Sequence, residues 1–140
     1  MISQPSLPYL AVEKARQGRH SKKALLIISD GEENSSRYSH GELDALLKEA
    51  GVQVYAIGGG VLGHLAELTG GRAFNGWGAD QTWDTFKQIA IYLRHQYVTA
   101  FYPTNTSRQA GRHKIQLRVK GPRSLGKLTL AYKKDYESFR

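Results

Sequence analysis

Residues 30–36 read "DGEENSS" and place three carboxylates, Asp30, Glu32 and Glu33, just after the apolar run 24–28. In an open parallel sheet, ligands sit beyond the carboxyl ends of the strands, so an acidic residue past such an end is a candidate site. Asp30 holds that position, with Ser29 as the step between strand and loop. A carboxylate there can bind a hard cation such as Mg²⁺ directly or through water, and the hydroxyls of Ser29, Ser35 and Ser36 are further oxygen donors beside Gly31 and Glu32. A hard-cation site takes about six oxygens, and this loop offers one well-placed carboxylate. Asp-Gly also starts tight turns, so spacing alone favours a solvated turn over a metal site.

Gly58, Gly60 and Gly63 form a G-x-G-x-x-G pattern between an apolar run and a helical one, the setting of a dinucleotide fingerprint. That fold next requires a strand ending in an acidic residue about 20 positions on. Here Asp80 falls in the glycine-rich "NGWGAD", which reads as a loop, so nucleotide binding is disfavoured. The histidines, His20, His40, His64, His95 and His113, show no i, i+4 pairing, which argues against zinc. No G-x-S-x-G elbow is present, which lowers the expectation of a hydrolase. Trp77, Trp83, Tyr97, Phe101 and Tyr102 could stack on bases or sugars, but aromatics beside element ends read first as core.

A basic group is the other chemical feature. Residues 1–93 carry nine Lys/Arg against ten Asp/Glu, whereas residues 94–140 carry eleven against two. Arg112, Lys114, Arg118 and Lys120, with Arg123 and Lys127, make the second part a candidate anion-binding surface for nucleic acid or acidic polysaccharide. A solvated sheet face explains the same charges, and nucleic acid is the less favoured partner.

The elements that must position these residues follow from periodicity. Residues 11–17 read as the end of a helix stopped by Gly18, and 24–28 as a strand buried on both faces of a parallel sheet. Ser39 and Glu42 make a capping box, and Leu43, Leu46, Leu47 and Ala50 recur at helical spacing up to Gly51. Residues 52–57 read as a second buried strand, 62–68 as a short helix, 72–74 as a brief strand after Gly70-Gly71, and 82–95 as a helix presenting Phe86, Ile89, Ala90 and Leu93. Period-2 alternation then predicts strands at 96–102, 114–120 and 127–132, the middle one covering Ile115, Leu117 and Val119. The fold class is therefore α/β, a partial Rossmann-like parallel sheet with helices over 1–95, followed by a small antiparallel β-sheet module over 96–140.

Composition fits a soluble globular chain of 140 residues, 40% apolar and 23% charged, with net charge +8. No apolar run approaches the roughly 18 residues of a membrane helix, and the start lacks the basic region and apolar core of a secretory signal. The absence of cysteine excludes disulfides and thiolate metal sites.

The succession "IISDGEENSSRYS", a helix, "VQVYAIG" and "LAELTGGRAF" resembles the second half of a von Willebrand factor A (VWFA) domain. "IAIYLRHQYVTAFYPTN" and "KLTLAYKKDY" narrow the resemblance to the bacterial VWFA-related group of Acidobacterial type, over residues 9–136. What this implies is a metal-ion-dependent adhesion site that binds a protein ligand through Mg²⁺ or Mn²⁺ without catalysis, with Asp30 at its last acidic position. The family's D-x-S-x-S motif and its isolated threonine have no counterpart here, Ile2 standing about where that threonine would be. The resemblance therefore implies a truncated site with negligible cation affinity, and a cell-envelope location. Without preceding strands, 24–28 should be a sheet edge with an uncovered apolar face, open to self-association.

Overall fold

The computed structural model describes residues 7–29, 40–75, 79–103, 111–122, 124 and 126–138. The chain runs α1 (Leu7–Arg16), β1 (Lys23–Ile28), α2 (His40–Ala50), β2 (Val52–Ile57), α3 (Val61–Thr69), β3 (Arg72–Phe74), α4 (Ala79–Arg94), β4 (Gly111–Lys114) and β5 (Asp135–Ser138). β1, β2 and β3 form a parallel sheet in that order, with Leu25 beside Val54 and Tyr55 beside Arg72. Parallel neighbours need crossovers, and α2 and α3 supply them. The α/β class with a small separate antiparallel sheet is thus the architecture of the chain.

One face of the sheet packs against α1, α2 and α3. Val12, Leu43, Leu46, Leu47 and Leu65 close over Val52 and Val54, with Leu25 and Ile27 alongside. The other face is covered by α4, whose Ile89 and Phe86 meet Tyr55, Ile57 and Phe74. β2 is the central strand, and its apolar residues are buried on both sides.

β1 departs from the expectation of burial on both faces. Its residues alternate between half-buried and exposed, with Leu26 38% and Ile28 50% accessible. The reason is position, because α4 packs over β2 and β3 while β1 is the sheet edge. α4 also begins at Ala79, so Asp80 lies on a helix rather than in a loop. Of the stripe expected on α4, Ala90 and Leu93 are exposed, and Tyr92 instead sets its ring 6.3 Å from that of Phe74.

The small antiparallel sheet pairs β4 with β5, Arg112 opposite Glu137 and Lys114 opposite Asp135. These are not the expected strands. Residues 96–102 and 115–120 form no ladder, and neither do 127–132, so Leu117 and Val119 are 43% and 51% exposed instead of covered. Alternation selects a face only when a partner strand exists, and beyond the Ile115 N–H bond to the Lys134 carbonyl no described strand pairs with these segments.

The tail docks at the amino end of β2. Gln96 donates to the Gln53 side chain and to the Tyr55 hydroxyl, the latter at 3.0 Å. Lys133 donates its ammonium to the Lys48 carbonyl in the last turn of α2, where the helix dipole favours a cation. Gly70, the left-handed cap of α3, lies under the same strap, and a Cβ there would stand 2.6 Å from the Lys133 nitrogen. Among the described residues no helix is long and apolar enough to cross a membrane.

Candidate functional site

The carboxyl edge of the parallel sheet is built by backbone contacts. The Ser29 N–H donates to the Ile57 carbonyl at 3.1 Å, carrying the β1–β2 ladder one residue past β1. The Gly58 N–H donates to the Phe74 carbonyl at 3.0 Å, so the three strand ends are tied side by side. Gly58 has φ 142°, and a Cβ there would lie 2.1 Å from the Ser29 carbonyl oxygen. Any side chain at 58 would push the ends of β1 and β2 apart. This contact accounts for the first glycine of the G-x-G-x-x-G pattern without a nucleotide, and Gly63 has open space around it.

Of the acidic-loop residues read from the sequence, Ser29 is the one the structure describes. Asp30, Gly31, Glu32, Ser35 and Ser36 lie outside the described residues, as do Glu33, Ser39 and Trp77. Among the described residues no group of three or more His, Asp or Glu side chains could hold a metal ion. Ser29 and the glycines of the 58–60 turn bring no carboxylate to this edge, so the described residues by themselves do not fit a divalent cation.

The basic residues divide. Arg112 is bonded to the Asp135 carboxylate across the β4–β5 pair. That hydrogen bond, then the carboxylate's charge, raises the Arg112 pKa, so the guanidinium stays cationic and is engaged. Lys114, Arg118 and Lys120 are exposed, and Arg118 makes only a long 3.5 Å contact to Gln116 among the described residues. Arg123 lies outside the described residues, and Lys127 is exposed. Gln96 and Lys133 attach the tail at the amino end of β2, the opposite end of that strand from the Ser29–Ile57 hydrogen bond.

Several arrangements were not legible in the sequence. His64 on α3 pairs with Asp44 on α2 at 2.9 Å, and the other Asp44 oxygen is buried without a hydrogen bond among the described residues. Arg72 donates to the Tyr92 hydroxyl at 2.7 Å and lies over its ring at 5.2 Å. Both pairs join residues 20 apart on different elements, a separation at which neither helical nor strand period speaks. A groove of about 380 Å³ between α1 and α2 is lined by Tyr9, Glu13, Arg16, Glu42 and Glu49, none of them a residue singled out in the sequence as a site. The aromatics read as core include Trp83, Tyr97 and Tyr102, which are exposed because no described element covers them. Phe101 does pack, edge-on to Tyr136 at 5.8 Å.

No protein-family model, curated protein or solved structure matches the chain.

Proposed function

We propose that the chain is the second half of a VWFA-type domain with its following β module, and that it binds a protein partner at the carboxyl edge of the β1-β2-β3 sheet without catalysing a reaction. The observation that carries this reading is the placement of the 30–33 acidic stretch. It begins one residue after Ser29, at the edge where β1, β2 and β3 end together and Gly58 closes against the Ser29 carbonyl. Ligands of parallel sheets gather at that edge. The bacterial family resembled in sequence makes the cell envelope the compartment in which to seek the partner.

Asp30→Lys combined with Glu32→Lys should abolish capture of that partner, while Lys114→Glu with Lys120→Glu should leave it intact. The reverse pattern would sink the reading. The described residues do not furnish a cation site, so the ion is assigned no step. Calorimetric titration of the chain with Mg²⁺ should show negligible binding, and a submillimolar dissociation constant would contradict the truncated site.

A second reading is favoured by the exposure of Lys114, Arg118 and Lys120 in a segment with eleven basic and two acidic residues. In that reading the tail binds an acidic polysaccharide. Affinity for heparin should then fall linearly in log–log form with salt as counterions are released. Retention that ignores salt would exclude it.

A further inference from the structure

We infer that the tail rests on an anionic lipid bilayer as a peripheral contact, with its cations among the headgroups and Phe101, Tyr102, Leu117 and Val119 at the acyl boundary. Two properties of the tail lead there. The first is charge with little to oppose it. Residues 94–140 hold eleven Lys/Arg and two carboxylates, and both carboxylates stand at one cation. Asp135 is bonded to Arg112, and Glu137 lies opposite Arg112 in the β4–β5 register. Lys114, Arg118, Lys120 and Lys127 are exposed to solvent.

The second property is apolar exposure in the same part of the molecule. Phe101 packs edge-on to Tyr136 at 5.8 Å and Tyr136 stacks on His113 at 5.0 Å, so these rings tie the 101–102 stretch to the β4–β5 pair. The Ile115 N–H donates to the Lys134 carbonyl at 2.7 Å, so residues 115–120 leave directly from the end of β4. Past that bond Leu117 and Val119 are 43% and 51% exposed, Phe101 is 58% and Tyr102 97%.

Extended backbone sends successive side chains to opposite sides, which puts Leu117 and Val119 on one side and Arg118 and Lys120 on the other. Such a strip suits the plane of a membrane interface, where apolar side chains enter the boundary and long cationic ones reach the headgroups. Tyrosine rings favour the same level. Water is still present there, so backbone groups outside a ladder remain solvated, as they would not be in the hydrocarbon core.

Charge complementarity selects this surface. An acidic polysaccharide answers the cations but leaves Leu117 and Val119 in water, and an uncharged apolar surface does the reverse. A bilayer with acidic headgroups answers both, each cation close to it strengthening binding about fivefold.

Cosedimentation of the whole chain with lipid vesicles tests this. Vesicles of mixed phosphatidylcholine and phosphatidylglycerol should bind the chain, and those of phosphatidylcholine alone should bind it about tenfold more weakly or less. No binding to the mixed vesicles would overturn the proposal. Leu117→Ser combined with Val119→Ser keeps every charge and should weaken binding by about tenfold, with an unchanged circular dichroism spectrum because both side chains are already half in water. Undiminished binding by that variant would reduce the contact to charge attraction and refute the boundary placement. Lys114→Gln with Lys120→Gln should lose about fivefold per cation, and no loss would count equally against the proposal. Leu10→Ser on α1, at a position 48% exposed, should change nothing. A loss there as large as in the tail variant would move the contact off the tail. Heparin retention that ignores the Leu117 and Val119 substitutions, together with no vesicle binding, would assign the tail to acidic polysaccharide instead. None of these results bears on partner binding at the carboxyl edge, which stands or falls by its own test.

Discussion

The two parts of the chain use apolar residues in different ways. In the α/β part, Val54 is fully buried and Leu47 nearly so, because helices on one side and α4 on the other close over a central strand. In the tail, Leu117 and Val119 alternate as well as any strand residues do, yet about half of each side chain remains in contact with water. The difference shows that a period-2 pattern states which residues share a face, whereas burial requires a second surface to meet that face. The tail is held instead by polar contacts, Gln96 to Gln53 and Tyr55, Lys133 to Lys48, and Arg112 to Asp135.

The sharpest way to break this comparison is a matched pair of truncations. Leu47→Ala should destabilise the fold by about 2–5 kcal/mol, the range for a buried leucine. Leu117→Ala should cost less than about 1 kcal/mol, because little burial is lost. Chemical denaturation of the two variants decides, and equal losses would mean that the tail carries a core of its own.

A smaller effect separates docking from backbone strain. Gly70 and Gly51 both have positive φ, 75° and 61°, but only Gly70 has the tail backbone against it. Gly51→Ala should lose about 1 kcal/mol from strain alone. Gly70→Ala should lose more and should also speed amide exchange at residues 132–134. Indistinguishable behaviour of the two variants would dissolve the docking contact.

The smallest expected change is at Lys133. Lys133→Met keeps most of the side-chain length and removes the ammonium from the Lys48 carbonyl, a loss of about 0.3–1 kcal/mol for a cation at a helix end. Thermal melts should show the shift shrinking as salt is added to the parent chain. A shift independent of salt would assign the contact to packing.

Much of the α/β part was legible because its signals are local. The leucines of α2, the apolar run of β2 and the Gly70 stop of α3 each report their element within one or two turns of chain. Position within the sheet was not legible. KALLII and VQVYAI read alike, yet one is an edge and the other the centre, since that depends on where α4 comes to rest. The same limit applies to the sites. Asp30 and Ser29 could be placed at a strand end by counting, but the closure of Gly58 on the Ser29 carbonyl needed the sheet. Arg112 looked as free as Lys114 until β5 brought Asp135 beside it.

The sequence by itself determined the α/β class, the order of the helices and parallel strands, and the division of charge between the two parts, because these follow from side-chain periodicity and composition. Tertiary structure alone decided which strand lies at the edge, which alternating segments pair, which cation is neutralised and where the tail attaches. Each of those depends on contacts between residues far apart in the chain, and short-range patterns carry no record of them.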